Sequence, residues 1–123
     1  MSQSRSQTLT VTYPVGTAAG TYNDSVVLDE QYSECQGVAA YESGNGGIPN
    51  YKIGLKDSSD TYQEQTHKDD WIVSTDVAPS QRIKPITPPI RGQKLTVVTQ
   101  IPEVLTAELS YDIVFKLTGK KNR

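Results

Sequence analysis

Apolar and polar residues alternate along the last part of the chain, and this alternation is the strongest structural signal in the sequence. The apolar positions are Ala107, Leu109, Tyr111, Ile113, Phe115 and Leu117, and the residues between them are mostly polar. A helix would spread these apolar residues around its circumference, whereas a strand places them all on one face. The period of two therefore predicts a long strand with one buried side.

Shorter runs of the same kind predict strands around Val11, Ile53 and Val97. Less regular candidates lie at residues 22–28, 32–41, 62–66, 70–75 and 82–86, which brings the total to eight or nine strands. Turn-forming Gly, Pro, Asn and Asp residues separate these segments. Many short strands at this spacing predict an all-β protein, an antiparallel two-sheet β-sandwich, and leave open whether it is a jelly roll or immunoglobulin-like.

The domain organisation follows from length and composition. A chain of 123 residues fits one domain with one core, and the sequence contains no internal repeat. We expect a flexible polar arm at residues 1–7, a single β-sandwich domain at residues 8–118 and a basic tail at residues 119–123.

The charge balance limits the possible partners. Twelve Lys and Arg residues stand against fourteen Asp and Glu, a net charge of -2, which argues against a surface devoted to nucleic acid. Positive charge is concentrated at Lys116, Lys120, Lys121 and Arg123, where we expect a solubilising tail. The single cysteine, Cys35, cannot form an intrachain disulfide and is predicted to be a core residue.

No stretch of the sequence has the apolar length of a signal peptide or of a membrane-spanning helix. We therefore expect the chain to be made and folded in the cytoplasm.

Residues capable of chemistry are few, and we predict no catalytic, cofactor-binding or metal-binding residue. His67 is the sole histidine, it lies among polar residues, and no nucleophile motif accompanies it. The carboxylates Asp57, Asp60, Asp69 and Asp70 bracket a predicted hairpin, but their spacing fits no EF-hand. The 44–47 segment, Gly-Asn-Gly-Gly, lacks the Lys and Ser or Thr of a phosphate-binding loop and is predicted to be a flexible loop.

The aromatic composition raises two alternatives. Seven tyrosines and Trp71 stand against one phenylalanine, a balance typical both of sugar-binding sandwiches and of protein interfaces. The strand phase of Tyr13, Tyr51 and Tyr111 instead predicts core positions with hydroxyls at the sheet rim, and Trp71 is predicted to be core as well.

The end of the chain resembles a known family. The segment Ile-Lys-Pro-Ile at 83–86, the segment Gly-Gln-Lys-Leu-Thr-Val at 92–97 and the closing strand at 109–117 resemble the end of a single jelly roll. In this cadence of strands the chain is similar to small capsid proteins of tailless bacteriophages, including the penton proteins that fill five-fold vertices.

The resemblance implies a structural protein of the virion, made in the host cytoplasm, that forms a ring-like homo-oligomer, a pentamer by expectation. The arms at residues 2–7 and 119–123 would then contact other capsid proteins, and Lys120, Lys121 and Arg123 would be placed to touch nucleic acid or lipid. The alternatives are a carbohydrate-binding module and a receptor-binding or spike component. An enzyme ranks last, because one histidine and scattered carboxylates do not predict an active site.

Overall fold

The computed structural model describes residues 4–48, 50–71, 84–90 and 94–119. Within them the chain forms seven strands and one short 3-10 turn, η1 at Lys68–Asp70. The strands are β1 Ser4–Tyr13, β2 Gly20–Val27, β3 Glu34–Asn45, β4 Lys52–Lys56, β5 Thr61–His67, β6 Lys94–Ile101 and β7 Leu109–Thr118. The prediction of an all-β protein is confirmed.

The strands form two antiparallel sheets that pack face to face. Sheet A has the order β1-β7-β3, and sheet B has the order β2-β6-β4-β5. Lys84 forms an isolated antiparallel bridge with Val38, which places an eighth extended position beside β3 in sheet A. Sheet A then has four positions, as sheet B does.

This order distinguishes between the two sandwich topologies. In an immunoglobulin-like sandwich the first two strands share a sheet, whereas here β1 and β2 lie in opposite sheets. The chain crosses from sheet to sheet at nearly every connection, and the last strand lies between β1 and β3. Seven strands and the bridge at Lys84 give eight positions in the order of a single jelly roll.

The core lies between the sheets and uses the predicted face of the final strand. Every second residue of β7 is buried, and each of these apolar side chains packs in one cluster with residues of sheet B. Cys35 and Trp71 belong to the same cluster, so both are core residues as predicted. The Trp71 indole N–H donates to the Ile53 carbonyl at 2.9 Å, so its polar atom is satisfied inside the core.

The expected N-terminal arm is wrong for residues 4–7, which belong to β1. Strand β1 begins at Ser4 and pairs with β7 over its whole length, from Ser4 opposite Thr118 to Tyr13 opposite Leu109. Polar residues extend the strand because pairing satisfies the backbone irrespective of side chain. Gln7 also donates to the Val27 carbonyl and accepts from the Asp29 N–H.

Other predictions near the ends and in the middle of the chain lie partly outside the described residues. These are the first part of the arm, residues 1–3, and most of the basic tail, residues 120–123, with Lys120, Lys121 and Arg123. Of the strand predicted at 70–75, Asp70 and Trp71 instead lie in η1 and the turn that follows. Ala107, predicted as the first apolar position of the final strand, lies before β7 in the connection 102–108, which contains no strand or helix.

Candidate functional site

His67 has a structural role at the end of β5. Its Nδ1 atom accepts a hydrogen bond from the Asp69 backbone N–H at 3.0 Å, which caps η1. A ring nitrogen that accepts this bond is used to begin the turn. Cys35, the only thiol of the chain, lies in the core, and burial raises its pKa.

The four carboxylates considered as cation ligands fall into two separate groups. Asp57 accepts hydrogen bonds from the backbone N–H groups of Ser59 and Asp60, both at 2.7 Å, and from the Tyr62 hydroxyl. These bonds shape the tight β4–β5 connection. Asp57 therefore acts as an internal acceptor for the turn that follows it.

The second group lies at the other end of β5, about 20 Å away for a strand of this length. Asp70 forms a salt bridge with Lys84 at 2.9 Å and accepts from the Thr66 hydroxyl at 3.0 Å. These two contacts lower the pKa of Asp70. Over the described ranges, no three metal-ligating side chains come close enough to hold an ion together.

Gly44 and Asn45 end β3 and Gly46 and Gly47 form a tight turn, where a flexible loop was predicted for all four residues. Gly46 and Gly47 have φ angles of 70° and 76°, and the Asn45 side-chain oxygen accepts from the Gly47 N–H. A Cβ at Gly47 would lie 1.9 Å from the Thr106 hydroxyl oxygen. Glycine is therefore required here by the backbone and by close packing against the β6–β7 connection.

Two of the seven tyrosines have their rings in the core of the sandwich. Tyr51 and Tyr111 are fully buried and stack with ring centroids 5.8 Å apart. The Tyr51 hydroxyl donates to Glu42 at 2.6 Å, and Glu42 also accepts from Lys68 at 3.0 Å. These rings lie in the core, as their strand phase predicted, but the Tyr111 hydroxyl is buried between the sheets and not at the sheet rim, where it was expected. Two buried rings form no exposed aromatic platform for a sugar.

A line of polar contacts crosses the interior through these rings. The Tyr111 and Thr99 hydroxyl oxygens are 2.5 Å apart in the buried space between the sheets. Near them the Tyr13 hydroxyl donates to Asp24 of β2. Burial raises the pKa of all three tyrosines that take part, and carboxylate partners add to the rise for Tyr13 and Tyr51. The phenols stay protonated and act as hydrogen-bond donors of the core.

One end of the sandwich presents a rigid, largely apolar surface, which we call the apolar tip and define as residues 14–19 and 102–108. Gly16 donates to the Leu105 carbonyl at 2.9 Å, and Leu105 donates to the Thr17 carbonyl at 3.0 Å, so the two connections are joined. Val15 and Val104, next to these bonded residues, are 63% and 54% exposed. Large exposed apolar side chains on neighbouring loops are typical of an interaction surface.

The connection between β3 and β4 supports the apolar tip from one side. The Thr106 and Ala107 N–H groups both donate to the Gly46 carbonyl, and the Gly46 N–H donates to the Glu108 carbonyl. Three loops are therefore tied by backbone hydrogen bonds into one surface. Residues 14–19 carry no charged side chain.

A second surface feature lies on the outer face of sheet B. A depression of about 410 Å³ lies beside Gly54 of β4, and we call it the Gly54 depression. Its lining consists of Gly54, Leu55, Lys56, Thr61, Gln63, Glu64, Gln65, Val98 and Gln100. Sequence reasoning missed this site; the signal for it was a glycine in the interior of a strand, which often marks a bulge or a close approach.

Comparison with known proteins adds nothing to the interpretation of either surface. No model of a protein family, no curated protein and no solved structure matches the chain. The strand order alone therefore defines the class, a small single jelly roll. None of the helical segments in the described ranges could cross a bilayer, since the one helical element there is three residues long.

Proposed function

We propose that the protein is a structural subunit of a virion, a small capsid or vertex protein that acts by assembling into a ring. The observation that carries this proposal is the jelly-roll strand order, an architecture used by viral capsid proteins and also by lectins and cupins. Fold alone does not assign function, so the proposal also needs a surface suited to assembly.

The apolar tip supplies that surface. It lies at one end of the elongated sandwich, where copies arranged around an axis would bring the same loops together. Burial of Val15 or Val104 would contribute about 1.5–3 kcal/mol for each fully buried side chain. Because three loops are joined by backbone hydrogen bonds, little further ordering would be needed on association.

The occupant of this surface is a second copy of the chain. In a closed ring each copy offers two different surfaces to its two neighbours, and the contact repeats by rotation. The total area buried in a ring is the area of one contact times the number of contacts. Two exposed valines per copy can therefore contribute to the stability of the ring. We expect the ring to be a pentamer located at a vertex of the particle, and the protein to act there without a catalytic step.

The pairing of β1 limits which residues could contact other capsid proteins. Residues 4–7 pair with β7 and are not free to reach a neighbour as an arm. Lys116, the described member of the basic cluster, donates to the Ser6 hydroxyl at 3.0 Å. We therefore propose contacts with neighbouring proteins, nucleic acid or lipid only for residues 1–3 and 120–123.

The test is the solution mass by light scattering from micromolar to millimolar concentration. We expect a discrete ring that Val15→Asp and Val104→Asp dissociate, because each places a charge in the proposed contact. The matched control is Val27→Asp, since Val27 is a 47% exposed valine on the outer face of sheet B. A monomer at every concentration, or a ring that all three variants leave intact, would refute assembly through the apolar tip.

A further inference from the structure

The outer face of sheet B is polar, and its outward residues on β2, β6 and β4 include no carboxylate. The inward residues are Ile53 and Leu55 of β4 and Leu95, Val97, Thr99 and Ile101 of β6, all of them buried, so their neighbours along each strand point outward. The outward residues are Thr21, Asn23, Ser25 and Val27 of β2, Lys94, Thr96, Val98 and Gln100 of β6, and Lys52, Gly54 and Lys56 of β4.

A bulge in β5 forms one wall of the Gly54 depression. Ile53 pairs with Thr66 and Leu55 pairs with Gln63, so two residues of β5 stand opposite Gly54. A Cβ at Gly54 would lie 3.0 Å from the Gln65 Cγ and 3.1 Å from its backbone nitrogen. Bulges of this kind redirect side chains at sheet edges and beside binding sites. Gln65 thus packs over Gly54, which is buried, and forms part of the floor of the depression.

The lining suits a ligand rich in hydroxyl groups. The amides of Gln63, Gln65 and Gln100 each both donate and accept hydrogen bonds, as do sugar hydroxyls. Gly54 and Val98 in the lining are buried, so a ligand would contact mainly the polar side chains around them. A volume of about 410 Å³ falls within the usual size of a small-molecule site.

The charge of this face favours an acidic ligand. Lys52, Lys56 and Lys94 form no hydrogen bond or ion pair with any residue in the described ranges, and Glu64 is the one carboxylate in the lining. The lining itself holds one lysine and one carboxylate, Lys56 and Glu64, and Lys52 and Lys94 on the neighbouring strands make the face as a whole positive, although the chain has a net charge of -2. A local potential opposed to the overall charge selects a negatively charged partner.

We propose that the Gly54 depression binds a saccharide that carries a carboxylate. The lysine ammonium of Lys56 pairs with the carboxylate, and the glutamine amides bind the ring hydroxyls. The proposal does not rest on assembly into a ring, because every lining residue belongs to one copy of the chain.

The test is an amide chemical-shift titration of the nitrogen-15-labelled protein. The probes are 3′-sialyllactose and a hyaluronan tetrasaccharide, and lactose is the matched neutral sugar. We expect shifts at Gly54, Gln65 and Val98 with both acidic probes. Lactose should bind at least about tenfold more weakly, because a hydrogen bond to a charged group contributes on the order of 1.5–3 kcal/mol.

Four variants assign the interaction to these side chains. Lys56→Met and Gln65→Met, both at exposed positions that should not affect folding, should weaken 3′-sialyllactose about tenfold or more. Glu64→Gln should strengthen it, because the substitution removes a repelling charge from the lining. Lys116→Met, on the outer face of sheet A, makes the same charge change elsewhere and should leave binding unchanged.

Three results would overturn binding of an acidic saccharide at the Gly54 depression. Absence of shifts with either acidic probe overturns the proposal, and so does equal binding of lactose and 3′-sialyllactose. Affinity that Lys56→Met and Gln65→Met leave unchanged also overturns it. None of these three results bears on the ring, because the test of the ring uses residues of the apolar tip. The two proposals can therefore fail separately.

Discussion

Thr99 and Tyr111 form a buried hydroxyl pair whose substitution measures how far polar contacts hold the two sheets together. Both side chains are fully buried, and their oxygens are 2.5 Å apart. Thr99→Val preserves the shape of the side chain but leaves the Tyr111 hydroxyl without this partner. A buried polar group that loses its partner costs about 1–3 kcal/mol, so the free energy of unfolding should fall by that amount.

The double variant separates the hydrogen bond from packing. Tyr111→Phe alone removes one hydrogen-bond partner of the Thr99 hydroxyl, which also lies beside the Tyr13 hydroxyl, and should destabilise the fold as well. Thr99→Val combined with Tyr111→Phe removes both polar atoms, and replacing both partners by apolar groups of the same shape can be nearly neutral. We therefore expect the double variant to be more stable than the sum of the single variants predicts, by about 1–3 kcal/mol.

Urea unfolding followed by Trp71 fluorescence is the assay, because Trp71 is the sole tryptophan and is buried in the core. Each kcal/mol should correspond to a shift of about 3–5 °C in melting temperature for a chain of this length. Thr12→Val is the control, since the Thr12 hydroxyl meets Ser110 on the exposed face of sheet A and its loss should cost less than about 0.5 kcal/mol. Strictly additive single variants would refute a coupled hydroxyl pair.

Three further predictions test other parts of the fold. Ile113→Asp should abolish folding, because an unpaired buried carboxylate costs several kcal/mol against a total of ~5–15, whereas Val114→Asp on the opposite face should still give a cooperative melt. An Ile113→Asp protein with an unchanged melt would mean that the wrong face of β7 was assigned to the core. Deletion of residues 1–6 should lower the melting temperature, because it removes the first part of the pairing of β1 with β7; an unchanged melt would show that this pairing adds nothing. Lys84 lowers the pKa of Asp70 below its usual 3.8, so the ionised carboxylate stabilises the fold above about pH 4 and loses this effect as the pH falls through the lowered pKa. Asp70→Asn should therefore destabilise the protein at neutral pH and match it at about pH 2 in urea titrations; an equal difference at both pH values would contradict this assignment.

The strands with one buried face were predictable from the sequence. In β7 the apolar residues occupy every second position, and each of them is buried. The start of β1 was not predictable, because Ser6 and Gln7 have no apolar side chain to signal a strand. What extends β1 to Ser4 is its backbone pairing with residues near Thr118, and pairing across the chain leaves no local trace in sequence.

The candidate surfaces were harder to foresee than the fold. The apolar tip depends on hydrogen bonds between loops that are distant in sequence, such as Gly16 with Leu105. The Gly54 depression depends on a bulge opposite Gly54, and no local rule places that bulge at Glu64 and Gln65. The tyrosines, by contrast, were an ambiguous signal, and the phase of Tyr51 and Tyr111 within their strands indicated their buried positions.

The position of β7 has a consequence for synthesis. The last of the seven described strands, β7, lies in the middle of sheet A, and Thr10 of β1 meets its partner Asp112 only 102 positions later. On the ribosome, β1 and β3 are present before the strand that joins them, so sheet A closes only after β7 has been made. Until then a β7 strand from a neighbouring nascent chain could fill the gap, and polysomes would be the place where copies exchange strands.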